Sequence, residues 1–311
     1  MIEKQISNFD LRQIAESGQC FRVKALSQNV PADAGNVSGS DGSLFGYDDN
    51  VFRHDGGSFA RESGFPGPVR YAVTASDRYV EVEQEGDRFR FFCGEEEFEN
   101  FWSHYFDLET DYGQFIARIG KRDRYLRQAA DFGGGIRILN QDLWEVMVTF
   151  LISQNNNMKR IRRCVERLCE NFGERRETAE GKCYYAMPGP KALSDIEALR
   201  DMGLGYRDKY IAALGAAVAE GTVDLDRLRG LKGQEKVHKE LTGIYGIGDK
   251  VANCIQLFGL HQIDAFPVDT WIRKILEQHY PKGFPVRRYK GCAGVMQQYM
   301  FYYEVSRKMC Q

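Results

Sequence analysis

The chain has 311 residues, 43% hydrophobic and 28% charged, with a formal net charge of −2. That balance is ordinary for a globular protein with an ample core, in one large or two modest domains. No run approaches the ~20 apolar residues that span a bilayer, and the small net charge excludes a uniformly basic polyanion binder, so the distribution of charge matters more than its sum.

The N-terminus MIEKQISNFDLRQIAESGQ lacks the apolar core of a secretory signal, so a cytoplasmic protein, nucleoid-associated in a prokaryote, is expected. Residues 1–24 read as a short strand or helix entry followed by SGQCFRV. From 27 to 68 the composition shifts to Gly, Ser, Asp and Asn with little periodicity. This insertion reads as a long loop, expected to be mobile and remote from any chemistry. The next segment, VRYAVTASDRYVEVEQEGDRFRFFC, alternates apolar and polar residues around turn signals at SD and EGD, a β-meander.

After Glu95 the spacing is helical to the end, from EEFENFWSHYF to CAGVMQQYMFYYEVSRKM. KALSDIEALRDM is among the helix candidates. No internal repeat or heptad run appears. The fold class is α+β: an N-terminal antiparallel β-sheet domain over 1–112, then an all-α array over 113–311.

Cysteines at 20, 93, 164, 169, 183, 254, 292 and 310 form no C-x-x-C pair, and the five histidines do not cluster. A zinc or iron–sulfur site is therefore poorly supported, and neither metal nor cofactor is expected. Charge is uneven: 93–111 is acidic, while RIGKRDRYLR (118–127), KRIRRCVER (159–167) and RRYK (287–290) are basic. One such run is an ordinary solvated helix face; three make a basic surface.

The segment QEKVHKELTGIYGIGDKVANCIQLFGL reads helix, tight turn, helix. Gly246 and Gly248 permit a close backbone approach, and the N–H groups opening the second helix can hold an anion such as a DNA phosphate. Lys250 stands at that helix start, the end where a cation is disfavoured. It is either an exposed phosphate grip or the neutral amine of a Schiff-base nucleophile. Asp269, in FPVDTWI, is an N-cap by position, yet an antiparallel return from the hairpin brings it toward Lys250. A carboxylate there can stabilise positive charge on a sugar as its C1′ bond breaks.

The hairpin with its lysine and the downstream PVD resemble the helix-hairpin-helix–Gly-Pro-Asp superfamily of DNA glycosylases. Within it the chain resembles the 8-oxoguanine DNA glycosylase/AP lyases. SGQCFRV (17–23), LISQNNNMKRIRRCVERLCENFG (151–173), MGLGYRDKY (202–210) and AGVMQQYMF (293–301) carry the likeness, which covers most of the chain outside 27–68. It implies that Lys250 attacks C1′, that Asp269 stabilises the developing charge, and that β-elimination follows. It implies a carbonyl of Gly18 at N7 of the lesion, Gln297 on the Watson–Crick edge, and Phe301 and Cys254 against the flipped base. Asn155 would fill the gap in the duplex, Arg160 and Arg207 would bind the estranged cytosine, and Tyr206 would wedge into the stack. Gly246, Gly248 and Trp271 would complete the contact with DNA; at Trp271 animal relatives carry a histidine. The expected partner is double-stranded DNA containing 8-oxoguanine, bound by a monomer with no membrane involved. Two alternatives stand beside this: a glycosylase of the same fold for another damaged base, and a non-catalytic helix-hairpin-helix DNA-binding protein.

Overall fold

The computed structural model describes residues 1–26 and 68–309, so the insertion read at 27–68 lies outside the described residues except for Pro68. Strands β1 (Ile2–Gln5), β2 (Val23–Leu26), β3 (Val69–Ala75), β4 (Arg78–Glu85) and β5 (Arg88–Phe91) form one sheet in the order β1-β5-β4-β3-β2. Every pairing is antiparallel. The meander read from 69–93 is β3–β4–β5, and its turns fall at the SD and EGD signals.

The alternation decides which face is covered. Val73, Val80, Val82, Phe89 and Phe91 point inward and are buried. Against them pack Leu11 and Ile14 of α1 (Leu11–Glu16). Phe98, Trp102 and Phe106 close the same core from the next helical run. That run is α2 (Glu95–Glu97), a π turn (Phe98–Trp102) and α3 (Ser103–Tyr105). Burying each such side chain is worth about 1.5–3 kcal/mol relative to exposure.

The helical part begins with α4 (Tyr112–Ala117), α5 (Arg124–Gly133), α6 (Leu143–Ser153) and α7 (Met158–Phe172). A small hairpin follows, β6 (Arg175–Glu177) with β7 (Cys183–Tyr185), which the sequence had not suggested. Next come α8 (Ile196–Leu199), α9 (Asp208–Ala219), α10 (Leu225–Gly230) and α11 (Gln234–Thr242). The last are α12 (Asp249–Cys254) continuing into a π turn (Ile255–Gly259), α13 (Thr270–His279) and α14 (Ala293–Met309). Helix α6 is buried from Leu143 to Ile152 and forms the centre of this core.

Two helical expectations change. KALSDIEALRDM is not one helix but a 3-10 turn, the short α8 and a second 3-10 turn. The backbone of α9 lies directly on it: a Cβ at Gly215 would come 2.7 Å from the Pro190 carbonyl oxygen. Conversely, α10 forms from DLDRLRG, capped by Asp224, although no long periodic pattern announces it.

Arg137 ties the two cores together. It is buried, and its guanidinium donates to the carbonyls of Ser7, Asn8, Asp107 and Thr110 at 2.7–3.0 Å. A buried cation needs this full set of acceptors to offset the loss of water.

Candidate active site

The hairpin joins α11 to α12 through Gly243–Gly248. Gly246 has φ +89°, and a Cβ on it would meet the Tyr210 ring at 2.6 Å, so both conformation and space demand glycine. Gly248, the N-cap of α12, faces open space, which leaves the first amides of the helix approachable. Gln154 Nε2 donates to the Gly246 carbonyl at 3.1 Å and couples the turn to the QNNN loop.

Lys250, in the first turn of α12, is half-buried. Its Nζ lies 5.3 Å from the centre of the Phe150 ring on α6. The thiol of Cys254 lies one helical turn further on, on the same face of α12. Burial pushes that thiol above its ordinary range, the charge of Lys250 pulls it back, and the charge of Asp269 raises it again. Lysine, thiol and carboxylate therefore share one small electrostatic neighbourhood.

Asp269 caps α13, with Oδ1 accepting from the amides of Trp271 at 3.0 Å and Ile272 at 2.8 Å. Capping alone does not distinguish it, since Asp10, Asp111, Asp123, Asp142 and Asp224 cap other helices in the same way. Its distinction is that its charge, like that of Lys250, bears on the Cys254 thiol. Trp271 follows, half-buried, with Lys274 Nζ 5.6 Å from its ring.

Three distant segments meet on the other wall. Gly18 has φ +75°, and a Cβ there would lie 3.5 Å from Phe301 and 3.8 Å from Met158. Those are ordinary contacts, so backbone conformation rather than crowding requires this glycine. Ser17 Oγ donates to the Ile14 carbonyl, and Gln19 Nε2 donates to Ser17 Oγ and the Arg137 carbonyl, which fixes the turn. Gln297 is buried, and its Nε2 donates to the Pro267 carbonyl at 3.1 Å, two residues before Asp269. The structure thus brings Gly18 together with Phe301, Lys250 and Cys254 onto one helix with the charge of Asp269 reaching the thiol, and Gln297 to the segment that carries Asp269.

The residues expected to face the opposite strand form a second group. Asn155 is exposed, in the left-handed region at φ +47°. Arg160 is exposed, with one nitrogen donating to the Gly203 carbonyl at 3.1 Å. Tyr206 is exposed beside Arg207, whose guanidinium carbon lies 4.5 Å from its ring centre. Arg207 departs from expectation. It is 3% exposed, and its guanidinium donates to the carbonyls of Gln154, Asn155 and Leu204. Those oxygens take up the donors that the sequence reading assigned to an estranged base.

Phe150, Met158, Tyr210 and Gln154 line or brace the site and were not anticipated. Phe150 lies in a helix apolar on every side, so no periodicity sets it apart. Tyr210 stood in plain view, four residues after Tyr206. Two surface depressions lie elsewhere, one beside Lys4, Phe98 and Arg137, the other beside Ser76, Phe101 and Arg229. Among the described residues no three His, Cys, Asp or Glu side chains cluster to hold a metal ion.

Residues 57–147 match the family described as 8-oxoguanine DNA glycosylase, N-terminal domain, and residues 148–283 match the HhH-GPD superfamily of base excision DNA repair proteins. The N-glycosylase/DNA lyase of Saccharomyces cerevisiae is 38% identical over 158 residues, which cover 47% of this chain and 42% of the yeast protein. That match spans less than half of the yeast relative. The 8-oxoguanine glycosylase/lyase of Clostridium acetobutylicum, solved with dsDNA containing cytosine opposite 8-oxoG, is 30% identical with a TM-score of 0.77. The similarity covers 99% of this chain and 98% of that one. MBOgg1, solved with a low-affinity DNA ligand, is 32% identical with a TM-score of 0.78, over 98% of this chain and 94% of that one.

Proposed function

Because the chain belongs to the 8-oxoguanine DNA glycosylase family of the helix-hairpin-helix–GPD superfamily, we propose that it excises 8-oxoguanine from duplex DNA and then nicks the strand. The amine of Lys250 attacks C1′ of the extruded nucleotide as the base departs. The carboxylate of Asp269 stabilises the positive charge that builds on the sugar during that step. Loss of the ring-oxygen bond yields an imine at Lys250. The imine acidifies the C2′ proton, and its removal expels the 3′ phosphate by β-elimination.

The single observation carrying this reading is a half-buried Lys250 in the first turn of α12, over the Phe150 ring, with the charge of Asp269 acting on the same Cys254 thiol. A protein that only grips a duplex has no need of a carboxylate there. Around the base, the Gly18 carbonyl accepts from N7–H of the lesion, where guanine offers a lone pair instead. Phe301 and Cys254 flank the ring and Gln297 reads its edge. The amides after Gly246 and Gly248 hold a backbone phosphate.

A preference for cytosine opposite the lesion belongs to the same proposal. Arg160 is already exposed for that contact. Arg207 joins it only when the Gln154 and Asn155 carbonyls release its guanidinium. Asn155 and Tyr206 then fill and wedge the stack, and Trp271 lies along the strand. One copy of the chain acts on one duplex.

The test is reductive trapping and nicking. With borohydride present, the protein should become covalently linked to a duplex carrying 8-oxoguanine, best with cytosine opposite and least with adenine. Absence of the adduct, or its survival in Lys250→Gln, would defeat the reading.

A further inference from the structure

We propose that Gln298 is a positioning residue that locks the Gln297 amide in the orientation that accepts a 6-oxopurine and rejects a 6-aminopurine. This rests on the purine pocket proposed above. Gln297 and Gln298 lie side by side in α14, each 3% exposed. Gln297 Nε2 donates to the Pro267 carbonyl at 3.1 Å, and Gln298 Nε2 donates to Gln297 Oε1 at 2.9 Å.

A backbone carbonyl can only accept, so Gln297 must turn its nitrogen to Pro267 and its oxygen to Gln298. Rotating the amide by half a turn would set oxygen against oxygen at Pro267 and nitrogen against nitrogen at Gln298. The bond to Pro267 would be lost outright, and the bond with Gln298 would be kept only if that amide turned over as well, inside a buried pocket where neither group could find water.

Each end of the Gln297 amide keeps one valence. Nε2 has a second N–H, and Oε1 has a second lone pair. Read in that fixed order, donor then acceptor, the amide complements an oxygen at C6 beside an N1–H. That is the edge of guanine and of 8-oxoguanine. A 6-aminopurine offers donor and acceptor in the reverse order, and could pair only with the amide turned over. The Pro267 carbonyl opposes that turn, and the donor of Gln298 adds to its cost.

Packing alone is a poor account of Gln298. Its Oε1 is buried with no hydrogen-bond partner among the described residues. A methionine of the same length would fill the space without that penalty, so the useful atom at this position is the donor Nε2.

The experiment compares wild type, Gln298→Met, Gln298→Asn, Gln297→Ala and the Gln297→Ala/Gln298→Met double variant. Single-turnover excision is measured on duplexes carrying 8-oxoguanine or 8-oxoadenine, alongside nicking at a preformed abasic site, where no base is read. Losing the Gln298 donor should slow 8-oxoguanine excision about fivefold to tenfold, the effect of one buried hydrogen bond. Discrimination against 8-oxoadenine should fall by at least the same factor. Abasic-site nicking should stay within about twofold, which shows the variant is folded. In the Gln297→Ala background, Gln298→Met should add nothing. Unchanged discrimination in both Gln298 variants, or additive effects in the double variant, would overturn the proposal. A wild-type protein inert on 8-oxoguanine would overturn the pocket reading and this inference with it.

Discussion

On the N-terminal sheet Lys4, Arg70, Arg88 and Arg90 each sit against a carboxylate, those of Glu99, Glu81, Glu3 and Glu83. On the hairpin face Arg160 and Arg207 give their donors to backbone carbonyls, Lys250 lies over Phe150, and Lys274 lies over Trp271. Among the described residues none of these four has a carboxylate within 4.0 Å. Both regions carry cations, within a chain of net charge −2. These four sheet cations are neutralised locally, whereas the four on the hairpin face are left for a partner that brings its own negative charge. A basic run in the sequence cannot tell these cases apart, because what matters is whether an acid from another element packs against it.

The comparison breaks most sharply at Lys250. If this face is catalytic, Lys250→Gln should lower excision and nicking of 8-oxoguanine duplexes by about a thousandfold or more, as loss of a covalent nucleophile does. A residual rate near wild type would reduce the face to a docking surface. Asp269→Asn comes next. Asparagine caps a helix about as well as aspartate, so the melting temperature should barely move. Excision should still fall about 10²–10³-fold, because the charge is gone while the cap remains.

Arg160→Ala tests the unpaired cations against the paired ones. It should weaken binding to a duplex with an estranged cytosine by about 1–3 kcal/mol, measured by fluorescence anisotropy. Arg90→Gln, on the sheet, should leave both affinity and its salt dependence unchanged. Equal losses in the two variants would erase the distinction between the regions.

The smallest effect concerns internal pairing and is read in stability. Burial would push the Asp107 carboxyl up, but His261 at 3.5 Å and hydrogen bonds from Thr110 and Tyr112 outweigh it and hold the group below its ordinary range. A carboxylate with a depressed value stabilises the fold above its unfolded pKa, about 4, and loses that contribution as pH falls through the folded value. Asp107→Asn should therefore cost about 1–3 kcal/mol at neutral pH. Thermal melting should show the gap closing as pH drops below about 4.

Some of the molecule was open to reading from the chain alone. The meander showed in its alternation, the hairpin in Gly246, Gly248 and the flanking apolar spacing, and Asp269 in its place before a helix. The β6–β7 hairpin escaped because strands this short have no room for a period. Helix α10 escaped because a six-residue helix spans barely two turns of pattern. KALSDIEALRDM kept a helical spacing that the backbone of α9 does not permit. Arg207 looked like a free guanidinium because nothing near it in sequence announces the carbonyls of Gln154 and Asn155.

Helix and strand periods, caps and glycine turns follow from neighbours within about four residues, so the amino-acid order by itself determined the elements and most of the chemistry they carry. The meeting of Gly18 with Phe301, of Lys250 with Asp269 at one thiol, and of Gln297 with the Pro267 carbonyl was decided only by tertiary packing. Each of those meetings depends on how α12 seats on the buried α6, α13 on α14, and α14 on α5. That seating is set by summed side-chain contacts from the whole core, which no local stretch of the chain contains.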